Sequence, residues 1–524
     1  MNILDELRMY ARLGVKLPRF LRARDTLEQG RLRLRHDLAH REENFLRLAE
    51  QCIYRYPASP YLPLLRHAGC ELADLRALVG REGLDGALRS LRDQGVYVSF
   101  EESKGREPIV RGSLRYQADV GDFDNPRGSK HLEGATSGTT GARSRMPFDL
   151  DYIAYQSPIL MLIQEAQGLH RVPRVGVRGS LPESPGFGGS LRGARHGWLP
   201  ERWFAPVLDP PRRTELRFRL AHDYVMTVAW LCGVRMPRPE PIRMDQVAIV
   251  ARWARDAVAR AGGSVVDCTP SMALRIVEAA RAEGIELGRV IFRTNGEAMT
   301  PAKRASIEQS GARVVIDYQI SGMAGVGYGC LAPADANDQH LLTHHLAVIQ
   351  APRAVGSTTV DALLYTSLLP NAPRISLNVE SDDYGVLEER SCGCPLEALG
   401  LLTHVRGVRS FKKLTAEGVT LVGSDMERVI ESVLPARFGG SALDYQLAEE
   451  EDERGFTRIV IRVNPRLDIR DETELVRAVL DGLTEASISA DLAGRLWSQA
   501  NAILVRREEP RTGGGGKLMP LHLH

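Results

Sequence analysis

Residues 248–317 read AIVARWARDAVARAGGSVVDCTPSMALRIVEAARAEGIELGRVIFRTNGEAMTPAKRASIEQSGARVVID, and the alternation inside this stretch decides the fold class. Ala248–Ala261, Ser271–Ala282 and Pro301–Ser310 carry apolar residues at helical spacing. Between them lie three short β-like runs, Val265–Asp267, Val290–Arg293 and Val314–Asp317. Strands separated by whole helices read as βαβ units, so the stretch predicts an α/β domain.

Working outward, alternation of this kind extends over residues 107–400 and predicts one large α/β N-terminal domain. Ahead of it, residues 1–95 mix charged and apolar side chains at helical spacing, as in Asn44–Tyr54 and Asp85–Asp93, and predict a helical arm. Beyond Arg409 the pattern becomes a helix at Asp425–Leu434, a strand at Arg458–Val463, a helix at Glu472–Ala486 and a strand at Ala502–Arg506, a small α+β domain. The expected division is therefore a large domain over residues 1–408 and a small mobile C-terminal domain over 409–524, joined by a hinge. The run Gly513–Gly516 has no intrinsic stiffness and reads as a loop carrying Lys517.

A chain of 524 residues, 43% hydrophobic and 26% charged, can bury large cores. Its net charge of +2, with basic residues spread along the chain, gives no footprint for nucleic acid or an anionic membrane, so a small-molecule partner is expected. No secretory leader and no long apolar run is visible, and the expectation is a soluble, cytoplasmic protein. Seven cysteines, an odd number, argue against a disulfide framework. Lysine is scarce beside arginine, which gives weight to any lysine in a motif position.

The segment Thr136-Ser137-Gly138-Thr139-Thr140-Gly141 joins glycines, which let backbone N–H groups approach a ligand, to hydroxyls that bond phosphate oxygens. Four further segments follow: Cys268–Leu274 with Asn295–Thr300, Asp317–Gly322, Ser381–Gly385 with Arg409–Glu427, and Pro510–Lys517. In this order they resemble the motifs of the adenylate-forming (acyl-CoA synthetase) superfamily, most closely its phenylacetate–CoA ligase branch, over roughly residues 40–520.

That resemblance implies ATP and Mg²⁺ as cofactors and a small carboxylic acid as substrate, with CoA, a carrier-protein pantetheine or an amine as acyl acceptor; a homodimer is left open. Thr136 through Gly141 would hold phosphates, and Met272 with the turn Gly296-Glu297-Ala298 would border the acyl group and adenine. In the segment opened by Asp317, Tyr318 would stack on adenine, with Ser321 following; Asp383 would take the ribose hydroxyls, and Arg409 would open the hinge. Lys517 would contact the reacting carboxylate oxygen and the α-phosphate.

The chain also departs from the family pattern. Gly322 stands where a glutamate helps hold Mg²⁺, Phe411 replaces the acidic hinge residue, and Arg143 and Ser144 replace Pro and Lys in the phosphate loop, so that Arg143 or Arg145 would supply the charge. These departures support a second reading, a non-catalytic member that binds nucleotide or a partner. A serine hydrolase is disfavoured, because no G-x-S-x-G is present.

Cys330, His340, Cys392 and Cys394 form a separate set, three thiols and an imidazole that can close a tetrahedral zinc site or remain unligated. Some phenylacetate–CoA ligase relatives carry a comparable structural zinc.

Overall fold

The structure, a computed structural model, describes residues 3–129, 131–135, 145–179, 185–206, 216–320, 323–355, 358–410, 413–416, 419–422, 429–441, 444–486, 497–510 and 521–522. Two short hairpins come first, Ile109–Arg111 (β1) with Leu114–Tyr116 (β2) and Leu132–Ala135 (β3) with Arg145–Phe148 (β4). Six parallel strands follow: β5 (Arg174–Val177), β6 (Arg202–Pro206), β7 (Pro239–Ile242), β8 (Ser264–Cys268), β9 (Val290–Thr294) and β10 (Arg313–Ile320). Six antiparallel strands continue the sheet from β10: β11 (Ala324–Gly329), β12 (Asp338–Leu341), β13 (Leu346–Val355), β14 (Thr358–Ser367), β15 (Val379–Glu389) and β16 (Thr403–Ser410). Together they form one twelve-stranded sheet in the order β13-β14-β15-β16-β12-β11-β10-β9-β8-β5-β6-β7.

The quoted stretch folds as its pattern predicts. Pro270–Ala282 starts on Thr269, whose side chain accepts from Met272 N, with Pro270 in the first turn. Pro301–Glu308 repeats the device with Thr300 and Pro301. Ala248–Ala261 stops at Gly262, whose φ of +77° is the left-handed cap that glycine adopts without strain. The apolar faces of Ala248–Ala261 and Pro270–Ala282 bury Val175, Val266, Phe292 and Ile316 on one side of the parallel strands. Helices Leu150–Ala166 and Pro185–His196 cover the other side.

Past Ile320 the alternation with helices ends. Only two residues separate β13 from β14, which pair along their whole length from Val355↔Thr358 to Leu346↔Ser367. A connection that short fits a hairpin, whereas a βαβ crossover needs a dozen residues or more. The helical arm packs on this antiparallel half: Phe45, Leu48, Leu65, Leu88 and Leu91 share a core with Ile349, Leu364 and Val379. Asn378 ties the two layers, its Nδ2 donating to Leu88 O at 2.8 Å and Val96 O at 3.1 Å.

The hairpin Lys413–Ala416 (β17) with Val419–Val422 (β18) leads to a four-stranded sheet ordered β21-β20-β19-β22. Its strands are β19 (Tyr445–Glu451), β20 (Thr457–Val463), β21 (Ile503–Arg507) and β22 (Leu521–His522). Helix Glu472–Ala486 and Trp497 close its core. The helix expected at Asp425–Leu434 is described from Val429, as a π turn over Val429–Val433 and then the helix Leu434–Phe438. Among the described residues no helix is long and apolar enough to cross a membrane.

Candidate functional site

The sheet brings together two of the predicted nucleotide residues. Tyr318, near the end of β10, places its hydroxyl 2.6 Å from Asp383 Oδ2 on β15 and 2.6 Å from the Tyr365 hydroxyl on β14. Asp383 Oδ2 also accepts from Ser381 Oγ at 3.1 Å, and its Oδ1 accepts from Ser410 Oγ at 2.9 Å. Burial, with Asp383 and Tyr365 alongside, holds the Tyr318 phenol far above its ordinary range, so it remains a proton donor.

A local irregularity aims the carboxylate. Asp382 has φ +63°, a left-handed conformation rare outside glycine, and the β14–β15 register slips between Ala362 and Leu364 beside it. Across β15 and β16, Asp383 faces Ser410 and Tyr384 faces Arg409. Neighbouring side chains on a strand point to opposite faces, so Arg409 projects away from the Asp383–Ser410 pair.

The same rule separates Asp317 from Tyr318. Asp317 lies on the other face of β10, its carboxylate 2.6 Å from Arg293 Nη2. Burial pushes that carboxyl up to about 6, against the pull of Arg293 and with a further push from Asp267.

The Gly296-Glu297-Ala298 turn is anchored from within. Gly296 has φ +91°, which a side chain would resist. Glu297 Oε2 accepts from Ser271 Oγ at 2.6 Å and Ser271 N at 3.2 Å and lies 3.7 Å from Lys303 Nζ, pinning the turn to the start of helix Pro270–Ala282. Met272 is buried in the core beneath β8 and β9. Thr136, Ser137, Gly138, Thr139, Thr140, Gly141, Ser321 and Lys517 lie outside the described residues, as do Arg143, Ser144, Gly322 and Phe411. β3 and β4 bracket the predicted phosphate loop, pairing Ala135 with Arg145.

The thiol–imidazole set does assemble. Cys330, His340, Cys392 and Cys394 offer ligand atoms that all lie within 4.8 Å of one another. His340 Nδ1 is 2.7 Å from Leu401 O, which fixes the proton there and leaves Nε2 as a bare acceptor 3.1 Å from Cys394 Sγ and 3.6 Å from Cys392 Sγ. Burial lowers this imidazole to about 4, so it is neutral near pH 7. An imidazole oriented by its second nitrogen toward three thiols fits a metal such as zinc. Beside it, Asp338 accepts from His404 at 2.7 Å and pairs with Arg390.

Sequence reasoning missed Tyr365 near Asp383 and Asp338 and His404 beside the thiols, and it quoted Ser381 and Ser410 within motifs without giving them a role. Ser381 and Ser410 adjoin residues the motifs singled out, so proximity in sequence was an available signal; Tyr365 is reached only through strand order.

No protein-family model matches the chain, and no curated protein matches it. Among solved structures, 2-hydroxyisobutyryl-CoA ligase in complex with 2-HIB-AMP and CoA aligns over 92% of this chain and 90% of its own, at 16% identity and a TM-score of 0.56. The chain shares the fold of this ligase. A double mutant of o-succinylbenzoate CoA synthetase from Bacillus subtilis aligns over 74% of this chain and 67% of its own, at 12% identity and a TM-score of 0.42. In this shared fold the large sheet carries Tyr318 and Asp383 and the small sheet domain follows it in the chain.

Proposed function

We propose that this chain activates a carboxylic acid with ATP, joining the carboxylate to the α-phosphate as acyl-AMP with release of pyrophosphate, and then passes the acyl group to a thiol or amine acceptor. The observation that carries this is the meeting of Tyr318 and Asp383 at 2.6 Å from strands 65 residues apart. Those are the residues that the motif resemblance assigns to adenine and ribose. A carboxylate that already accepts hydroxyl hydrogens on both oxygens is chemically suited to a ribose diol.

In this reading Thr136–Gly141 cradles the phosphates and Lys517 brings a point charge to the reacting oxygens. The small domain, from about residue 409, swings after adenylation so that the acceptor can reach the acyl-AMP. Position 322 is glycine, whose side chain cannot ligate Mg²⁺, so Arg143 or Arg145 would add charge at the phosphates beside the Mg²⁺ that accompanies ATP. Membership in the phenylacetate–CoA ligase branch and a structural zinc on Cys330, His340, Cys392 and Cys394 belong to the same proposal.

The test is ATP–pyrophosphate exchange with a panel of acids. The wild type should exchange with at least one acid, and Lys517→Ala should be slower by about 10²–10³-fold while remaining folded. Nucleotide binding without exchange for any acid would favour the second reading, a member that binds and does not turn over, to which Gly322 points.

A further inference from the structure

The face of the parallel strands turned toward helices Leu150–Ala166 and Pro185–His196 is charged where a core is usually apolar. Strand alternation puts Val175, Val266, Phe292 and Ile316 into the apolar core on one side. Gly176, Asp267, Arg293 and Asp317 therefore share the other, with Gly176 in register with Asp267 and Asp267 with Arg293. Arg293 lies 2.6 Å from Asp317 and 3.4 Å from Asp267; Arg174 lies 3.9 Å from Asp267 and stacks its guanidinium 3.4 Å above the Trp198 ring.

Two more guanidiniums face the same carboxylates. Arg178, just past β5, donates to Cys268 O at 2.6 Å and forms no ion pair with any described carboxylate. Arg192, on helix Pro185–His196, makes no hydrogen bond or ion pair with any described residue. Burial pulls both below the ordinary arginine range, with Asp267 and Asp317 the carboxylates that counter it. Among the described residues, four guanidiniums (Arg174, Arg178, Arg192, Arg293) thus meet two carboxylates (Asp267, Asp317). Arginine stays protonated in proteins, so it cannot shed this excess by titrating, and a buried cation without a partner is strongly unfavourable.

There is also room. A Cβ built on Gly176, two residues from both Arg174 and Arg178, meets nothing within 4 Å, and the same holds at Gly189, one turn before Arg192 on its helix. The Gly176 space lies on the Asp317 face of the sheet, three strands from β10 in the order β10-β9-β8-β5, and Arg178 follows β5 at its carboxyl end, where ligands of open α/β sheets bind.

We propose that this chamber receives a second anionic group of the acid being activated, so that the substrate is a dicarboxylic acid whose distal carboxylate is gripped by Arg178 and Arg192. Guanidinium forks match carboxylates in bidentate geometry, and the bound anion balances the charge left over among the described residues. This rests on the activation reading above and narrows its substrate class.

The experiment is calorimetric binding to the full chain of succinate, glutarate, adipate and terephthalate, each against its monoacid of matched carbon skeleton: butyrate, pentanoate, hexanoate and 4-methylbenzoate. At least one diacid should bind about 10–100-fold more tightly than its monoacid. Arg192→Gln should erase that preference, Arg192→Lys should keep part of it, and Gly176→Leu should erase it by filling the space with every charge retained. Arg192→Gln should also melt no lower than the wild type, since it removes a cation that lacks a partner. Equal binding of diacids and monoacids, or a diacid preference that survives Arg192→Gln and Gly176→Leu, overturns the proposal. Exchange supported by a monoacid without any diacid preference overturns the chamber and leaves activation standing. Diacid binding through Arg192 without exchange by any acid overturns activation and leaves the anion chamber supported.

Discussion

At the scale of single residues, the most informative feature is a carboxylate already occupied by the protein's own hydroxyls. Tyr318 and Ser410 each supply Asp383 with a hydroxyl hydrogen bond, at 2.6 and 2.9 Å. A ribose diol seeking Asp383 must displace at least one of them. A hydrogen bond to a charged group contributes about 1.5–3 kcal/mol, so the two variants should move nucleotide affinity in opposite directions. Asp383→Ala should weaken ATP binding about 10–100-fold while leaving the acid's affinity intact. Tyr318→Phe keeps the ring for stacking and frees an acceptor, so ATP should bind as well as or better than in the wild type. Calorimetric titration of ATP into both variants decides the matter: a Tyr318→Phe loss as large as that of Asp383→Ala would mean that the phenol contacts nucleotide directly. Motif order was enough to single out Tyr318 and Asp383 from the chain. It was silent on Tyr365 and gave no role to Ser410, which reach Asp383 through strand pairing, and it set Asp317 beside Tyr318 although the pleat sends the two to opposite faces.

At the scale of elements, the sequence was legible where periodicity is strong and local. Ala248–Ala261 and Glu472–Ala486 form over the predicted residues, because apolar spacing and caps act within one turn. The antiparallel half was not, since runs such as Leu346–Val355 and Thr358–Ser367 gain their meaning from partners across a hairpin. The thiol–imidazole set lies between these cases: its residue types were visible, but their convergence depends on β11, β12 and the segment after β15 folding together. Those three segments already meet through the β11–β12 pairing and the Asp338–Arg390 ion pair, and a bound zinc would add a further clip between them. One zinc per chain is the expected result of metal analysis on purified protein, lost in Cys394→Ser. Chelation should then lower the melting temperature, by about 1 °C per kcal/mol of lost stability for a chain of this size. Protein holding only traces of zinc, with a melting temperature indifferent to chelator, would return the four side chains to the role of unligated core residues.

At the scale of the whole molecule, the turn between β19 and β20 docks the small sheet domain against the large one, alongside contacts such as Arg275 Nη2 donating to Ala500 O at 3.4 Å and Met244 packing against the small core. Phe456, between β19 and β20, is 4% exposed and belongs to the core beneath the parallel sheet, with the Arg275 and Arg458 guanidiniums 5.3 and 5.5 Å from its ring centre. Lys303 is the polar centre of this contact. Its ammonium donates to Thr457 Oγ1 at 2.6 Å and to Ala298 O at 3.5 Å, and lies 3.7 Å from Glu297. Ser306 Oγ donates to Arg454 O at 3.2 Å, and Thr300 reaches Glu451. Because Lys303 also faces Glu297, which pins the Gly296–Ala298 turn, docking of the small domain and the shape of that turn share one buried charge. Removing one acceptor from a buried ammonium costs about 1–3 kcal/mol, and here that cost falls only on the docked arrangement, since in an undocked one water replaces the hydroxyl. Thr457→Val, which preserves the shape of the side chain and the β-branching suited to β20, should therefore shift the balance toward undocking by about 5–100-fold. Hydrogen exchange at Asp452–Phe456 should quicken by that factor, while exchange in the cores of both sheets stays as in the wild type. If exchange in this turn is unchanged in Thr457→Val, Lys303 does not hold the domains together, and the apolar seat of Phe456 with contacts such as Arg275 to Ala500 O carries the docking.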